Sequence, residues 1–214
     1  MATYGLQLFK RHRSALPWLL LKKGMSGVVT IETLVVFDVE LETWTRHEHR
    51  ESPGLMLCRI TDSESPVFAQ LCTKYPNKDF RERYVMRQRE CYVALRNGEI
   101  AGYAWVSADS LHVDEIACTF PLAADEVFIY DCFVDEAFRG GGIYPAMLRA
   151  ALDDCAAQKG IRRAVIGAVS VNHASLRGIR KAGFRERKRI HYLQCGPLQR
   201  WWGLDPVTAR ADAI

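Results

Sequence analysis

The chain has 214 residues, 49% of them apolar and 25% charged, with a formal net charge of +4. That length holds one sizeable domain with an appendage, and the balance is that of a globular protein, which excludes a disordered or membrane-embedded chain. The mild positive charge admits an anionic ligand and gives no argument for a nucleic-acid partner.

In chain order, residues 1–24 read as a basic, partly apolar helix bent near Pro17. The apolar run 15–21 stands between Lys10, Arg11, Arg13 and Lys22, Lys23, superficially like a signal peptide. It is about seven residues long, contains a proline and lacks a small-residue cleavage site, well short of the roughly 20 residues of a membrane span. A cytoplasmic, uncleaved protein is expected. The apolar side chains of residues 4–23 suit docking on their own domain or on a second subunit, as in a homodimer. The other reading is peripheral contact with anionic lipid. Residues 28–41 are rich in Val, Ile, Thr and Phe and read as one or two strands that extend a sheet edge. Residues 44–53 form a polar linker.

From residue 55 the pattern changes. Residues 55–60 make a short strand, Asp62 or Ser63 caps a helix over 66–73, and 79–90 read as a second, highly charged helix. The apolar runs 91–95 and 99–106 flank Asn97-Gly98, a hairpin signal because both residues tolerate positive φ. Residues 110–125 read as a long connection and 126–134 as a strand. The segment 142–159 has helical spacing, with Met147, Leu148, Ala151, Leu152 and Cys155 on one side. Residues 164–169 form a continuous apolar strand buried on both faces. A helix over 173–181 closes at Gly183, and 187–194 is the last predicted strand. Trp201 and Trp202 either pack beside the 28–41 strand or form an exposed patch, and the tail beyond Gly203 is loose. The seven cysteines include no CxxC pair, so a disulfide framework or a zinc site is not expected; reduced, mostly buried thiols are. The whole divides into an N-terminal helix and strand extension (1–50), an α/β domain around one mixed sheet (51–200) and a C-terminal tail (201–214).

The segment 126–148 joins a strand, three consecutive glycines and a helix. Glycines let backbone amides approach an anion, and the first-turn amides of the helix have no internal partner. The helix dipole and Arg139 add positive charge, so the segment is a candidate pyrophosphate cradle. It lacks the GK[ST] ending of a P-loop and the GxGxxG spacing of a dinucleotide fold.

Arg139-Gly140-Gly141-Gly142-Ile143-Tyr144 resembles the R/Q-x-x-G-x-G/A motif of the GNAT superfamily of coenzyme A-dependent N-acyltransferases, with Tyr144 in place of the last small residue. Downstream, Asn172-His173-Ala174-Ser175-Leu176 and Lys181-Ala182-Gly183-Phe184 resemble the family's N-x-x-(A/S)…K-x-G-F element. The resemblance covers about residues 55–193. It implies a mixed, mostly antiparallel sheet whose splayed central strands are flanked by helices. It implies acetyl-CoA or another acyl-CoA as cosubstrate, with no metal, and an amine acceptor, either a small molecule or a protein amine. Phe133 and Val134 would offer backbone to the pantetheine arm. Arg139 through Tyr144 (Arg139, Gly140, Gly141, Gly142, Ile143, Tyr144) would hold the pyrophosphate, with Asn172 and Ser175 facing the cofactor.

Direct transfer to an amine needs a base, donors to the developing oxyanion and an undemanding leaving thiolate, and no covalent enzyme intermediate. Asp131 is the preferred base, the alternative being a merely ion-paired carboxylate. Tyr130 is the other catalytic candidate on that strand, and alternation lets only one of the two face the cleft. Counted from Asn172, the position of the family's tyrosine acid is Ile179, so Tyr144, His173 or Tyr192 would substitute, or no acid at all. Cys132 reads as a buried thiol rather than a nucleophile. The rival functions are an acyltransferase fed by acyl carrier protein and a non-catalytic module binding CoA or a partner.

Overall fold

A computed structural model describes residues 29–46, 53–86, 89–109 and 111–203. The predicted helix over 1–24, most of the linker and the tail beyond Gly203 lie outside the described residues. Ten strands and three α-helices are described: β1 (Val29–Glu40), β2 (Leu55–Arg59), α1 (Pro66–Lys74), β3 (Glu90–Arg96), β4 (Glu99–Ser107), β5 (Leu111–Val113), β6 (Cys118–Phe120), β7 (Glu126–Val134), α2 (Ile143–Ala157), β8 (Arg163–Val169), α3 (His173–Lys181), β9 (Arg185–Cys195) and β10 (Leu198–Trp202).

Eight strands form one sheet in the order β10-β9-β1-β8-β7-β4-β3-β2, and β5 and β6 form a separate ribbon. Only the β7–β8 pair is parallel, and it lasts four residues, from Glu126↔Arg163 to Ile129↔Ile166. Beyond Ile129, β7 keeps β4 as its neighbour, and beyond Ile166, β8 keeps β1. The two central strands therefore diverge, and backbone groups on their facing edges are released.

Alternation along the strands builds two cores. One face carries Val35, Phe37, Val127, Ile129 and Ile166 and is covered by Met147, Leu148 and Leu152 of α2 and Leu176 and Ile179 of α3. The opposite face splits in two. Phe68 and Leu71 of α1 meet Val93, Tyr103 and Trp105, while the ribbon's Ile116 and Phe120 meet Phe128, Ile190 and Tyr192.

Several expectations are corrected. The 28–41 segment is one strand in the interior of the sheet, antiparallel to both β8 and β9, not an edge. Its run Leu34, Val35, Val36 and Phe37 is buried on both faces, as two-sided coverage demands. Ser65, rather than Asp62 or Ser63, caps α1, its Oγ accepting from Phe68 N at 3.1 Å. Among the described residues of the second charged helix, Glu82–Met86 is π-helical, and Phe80 and Tyr84, one turn apart, hold the segment on the core. The connection 110–125 contains the β5–β6 ribbon, and β10 adds an edge strand that no alternating pattern announced. Cys91, Cys118 and Cys155 are buried, Cys58, Cys72 and Cys132 half-buried and Cys195 exposed, all as free thiols. Trp201 packs against Tyr192 with ring centres 5.4 Å apart, whereas Trp202 is exposed. No helix among the described residues is long and apolar enough to cross a membrane.

Because β1 is doubly paired, its core side chains should matter as much as those of the central strands. Phe37→Ala, at a site with 0% exposure, is expected to cost about 3–5 kcal/mol in a urea or guanidinium unfolding curve. An edge strand would show a much smaller loss.

Candidate functional site

At the divergence of β7 and β8 lies a cavity of about 740 Å³, walled by β7, the glycine loop and the start of α3. Asp135 starts the loop: its carboxylate accepts from Glu136 N at 2.9 Å and pairs with Lys74 at 2.6 Å. The Lys74 hydrogen bond holds Asp135 below the usual carboxylate range. A 3-10 turn, Glu136–Phe138, then leads to Arg139. Arg139 Nε donates to the Val134 carbonyl at 3.2 Å, tying the loop back to the strand end.

Gly140 and Gly142 have φ of +86° and +73°, the left-handed region that side chains disfavour. A Cβ at either would meet nothing within 4 Å. The loop backbone therefore faces open space, and Gly142 is the N-cap of α2. This is the geometry that lets amides approach a diphosphate. Among the described residues, Arg139, Arg177 and Lys181 line the cavity and no carboxylate does. The residues present fit an anionic diphosphate.

Arg139, Gly140, Gly142, Ile143, Tyr144, Asn172, Ser175 and Val134 all border this cavity, and Gly141 lies within the loop. Asn172 is the N-cap of α3: its Oδ1 accepts from Ser175 N at 3.2 Å. Phe133 is the exception. Its ring joins Tyr75 and Tyr103, and its carbonyl lies against Gly102 of β4, where an added Cβ would come within 2.5 Å of it. The side chains follow strand alternation: Cys132 and Val134 border the opening, and the Phe133 ring takes the opposite face. Arg177 escapes the sequence reading altogether, while Lys181 enters it only within the K-x-G-F element and Cys132 only as a buried thiol. The four-residue spacing of Arg177 and Lys181 on one helical face was the available signal.

Tyr144 does not fill the phosphate cradle. Its ring lies against α3 so closely that a Cβ on Gly178 would overlap it, and its hydroxyl is a hydrogen-bonding neighbour of the Cys132 thiol. Burial pushes that thiol far up from its ordinary value, which removes it as a nucleophile. Ile179, at the position of the family's tyrosine, is a fully buried core residue.

The catalytic candidates are on the other side of β7. Tyr130 pairs with Trp105 and Phe133 with Tyr103, so Asp131 and Cys132 together face Ala104. This is a β-bulge, and Asp131 has φ of +41°, a conformation that Asp tolerates better than most residues. Arg83 NH1 donates to Asp131 Oδ2 at 2.7 Å, while Lys78 Nζ is 3.5 Å from both carboxylate oxygens. Asp79 holds Arg83 from behind at 2.7 Å. The same guanidinium lies 5.8 Å from the Tyr130 ring, and Tyr130 Oη accepts from Arg89 at 2.9 Å. The expectation that alternation lets only one of the pair face the cleft is therefore corrected. The bulge breaks alternation, and Tyr130 and Asp131 meet the same cation.

The loop glycines supply a direct check. Gly140→Ala and Gly142→Ala force a side chain into left-handed backbone and should each cost about 1 kcal/mol or more in thermal unfolding. Gly141→Ala, whose φ is not in that region, should cost distinctly less.

Comparison with known proteins agrees with this architecture. The acetyltransferase (GNAT) family model matches residues 56–184. The uncharacterized N-acetyltransferase YycN of Bacillus subtilis (strain 168) is 29% identical over 123 residues, 56% of this chain and 72% of the relative. A GCN5-related N-acetyltransferase from Sphaerobacter thermophilus superposes with a TM-score of 0.55 at 17% identity, covering 92% of this chain and 60% of that one. Another, from Kribbella flavida, gives 0.53 at 12% identity over 86% and 64%. These two likenesses speak to the fold, and the chain spans less than two thirds of either protein's length. The family match extends over more than half of the chain and includes both the glycine loop and the Asn172 element: this chain belongs to the GNAT acetyltransferase family.

Proposed function

We propose that the protein is an N-acyltransferase that moves an acetyl or other acyl group from coenzyme A directly to an amine, of a small molecule or of a protein. The observation that carries this reading is the cavity at the strand divergence, with its open glycine loop and, among the described residues, three cations and no carboxylate in its lining. In this reading the loop amides, Arg139, Arg177 and Lys181 hold the donor's phosphates, with Ile143 and Tyr144 beginning the helix behind them. Asn172 and Ser175 border the donor from α3. The released edge of β7 at Cys132 and Val134 pairs with the amide-rich arm, and a free amide there stabilises the oxyanion of the attacked carbonyl.

The acceptor approaches from the bulge side. Asp131 is the proposed base, with Tyr130 and Arg83 fixing its surroundings. The cations Arg139, Arg177 and Lys181 at the cavity also suit an acidic carrier protein bearing the acyl group, and turnover with acetyl-CoA against acyl-carrier donors separates these sources.

Arg139→Glu replaces attraction by repulsion at the phosphates and is expected to weaken acyl-CoA binding by about tenfold or more, or roughly 1.4 kcal/mol, in calorimetry. Absence of any acyl-CoA binding by the wild-type protein would sink the reading. Asp131→Asn keeps the shape and the tolerance of left-handed φ while removing the charge. It should lower kcat/KM about 100-fold or more with donor affinity unchanged. An Asp131→Asn protein that keeps wild-type kcat/KM removes Asp131 as the base.

A further inference from the structure

We propose that Tyr144 is the general acid of this enzyme, delivering a proton to the leaving sulfur from a seat that Gly178 provides. The inference rests on the acyl-transfer reading and assigns a role that the family's usual tyrosine position does not fill here.

Three observations converge. Ile179 stands where the tyrosine acid would be, and it is buried in the core beneath α3 with no polar group to offer. Tyr144 occupies a position whose family pattern calls for a small residue, but its ring leaves the phosphate cradle and lies on α3. The residue it lies on is Gly178, next to Ile179 in the chain, and no side chain fits there beside the ring. A large residue on α2 and an absent one on α3 are thus complementary: the phenol missing from the second helix is supplied by the first.

The hydroxyl's position fits the task. It neighbours the Cys132 thiol, and Cys132 is the innermost residue of β7 among those bordering the cavity. A donor whose phosphates rest on the glycine loop and whose arm follows β7 inward brings its sulfur toward that end. The other candidate acids fit less well. Tyr192 is buried on the opposite face with its hydroxyl bonded to Gln194 at 3.0 Å. His173 borders the same cavity but is exposed, at the first position of α3.

The step balances as follows. The neutral amine nitrogen attacks the thioester carbon, forming the C–N bond and placing charge on the carbonyl oxygen. On collapse the C–S bond breaks and its electron pair goes to sulfur. The Tyr144 O–H bond breaks, its proton joins sulfur to give the free thiol, and the phenolate regains a proton from water. The surplus proton on nitrogen leaves to the base on the bulge side.

Tyr144→Phe keeps the ring on Gly178 and removes only the hydroxyl. Proton transfer by a positioned group contributes at least a hundredfold in typical cases, and a thiolate is a good leaving group, so kcat should fall about ten- to hundredfold while donor KM stays within about twofold. The deficit in kcat/KM should shrink severalfold when the donor is an aryl thioester, whose thiolate leaves without a proton; a purely structural role would not respond to the leaving group. Gly178→Ala, which displaces the ring, should lower kcat comparably and raise donor KM as well. A Tyr144→Phe protein that melts like wild type and keeps wild-type kcat with acyl-CoA overturns the proposal alone. A wild-type protein that binds acyl-CoA but transfers nothing to any amine overturns the acyl-transfer reading with it.

Discussion

Everything at the site depends on how briefly β7 and β8 are paired. Four residues of parallel ladder hold them together, and past Ile129 and Ile166 each strand turns to a different partner. A strand edge released inside a sheet is costly unless something else pairs with it, because unpaired backbone groups lose water without gaining a partner. Such an opening leaves β7 with an edge on which an occupant with amide groups of its own can pair. The bulge at Asp131 is the local means of opening. It adds a residue to β7 opposite Ala104, bends the strand and turns two consecutive side chains toward Arg83.

The opening needs support from behind. Residues 167–169 of β8 have lost β7 and are held by β1 alone, through pairs such as Leu34↔Val169 and Val36↔Gly167. Ser170 N donates to Thr33 O at 2.7 Å, carrying the pairing up to the turn before Asn172. The strand that looked like an appendage thus fixes the position of the Asn172 cap, and through it one wall of the cavity. Trp44, just beyond β1, adds a second tie: its indole donates to Asp153 of α2 at 2.8 Å, and its ring lies beside Gly183.

Much of this was legible in the sequence, for physical reasons that vary by element. Strand β7 and helix α3 follow from period and punctuation, and the Asn97-Gly98 hairpin follows from the φ values both residues adopt. The phosphate loop was visible because glycines and an arginine before a helix start are local signals. The interior place of β1 was not, since its partners are distant in sequence and periodicity says nothing about neighbours. The π-helical character of Glu82–Met86 is hidden because the Arg83–Asp131 ion pair that holds it to β7 looks, in sequence, like part of a solvated charged face. The Asp131 bulge was invisible for the same reason: it is a property of the pairing with β4. Ile179 and Tyr144 were noticed as departures, but their connection through Gly178 appears only when α2 and α3 are side by side.

The interior position of β1 also bears on how the chain reaches its fold. This strand is made before every other described element, yet its two partners are β8 and β9, near the far end of the domain. Until β8 is available, β1 has no ladder to join, and until β9 follows one of its edges stays open, with the run Leu34–Phe37 an apolar β-prone segment. Pairing of that range raises contact order and slows folding. Synthesis would therefore proceed with the first strand waiting, and the last strands to emerge would close the sheet around it. A ribosome-bound chain lacking β9 should be the species in greatest need of a chaperone.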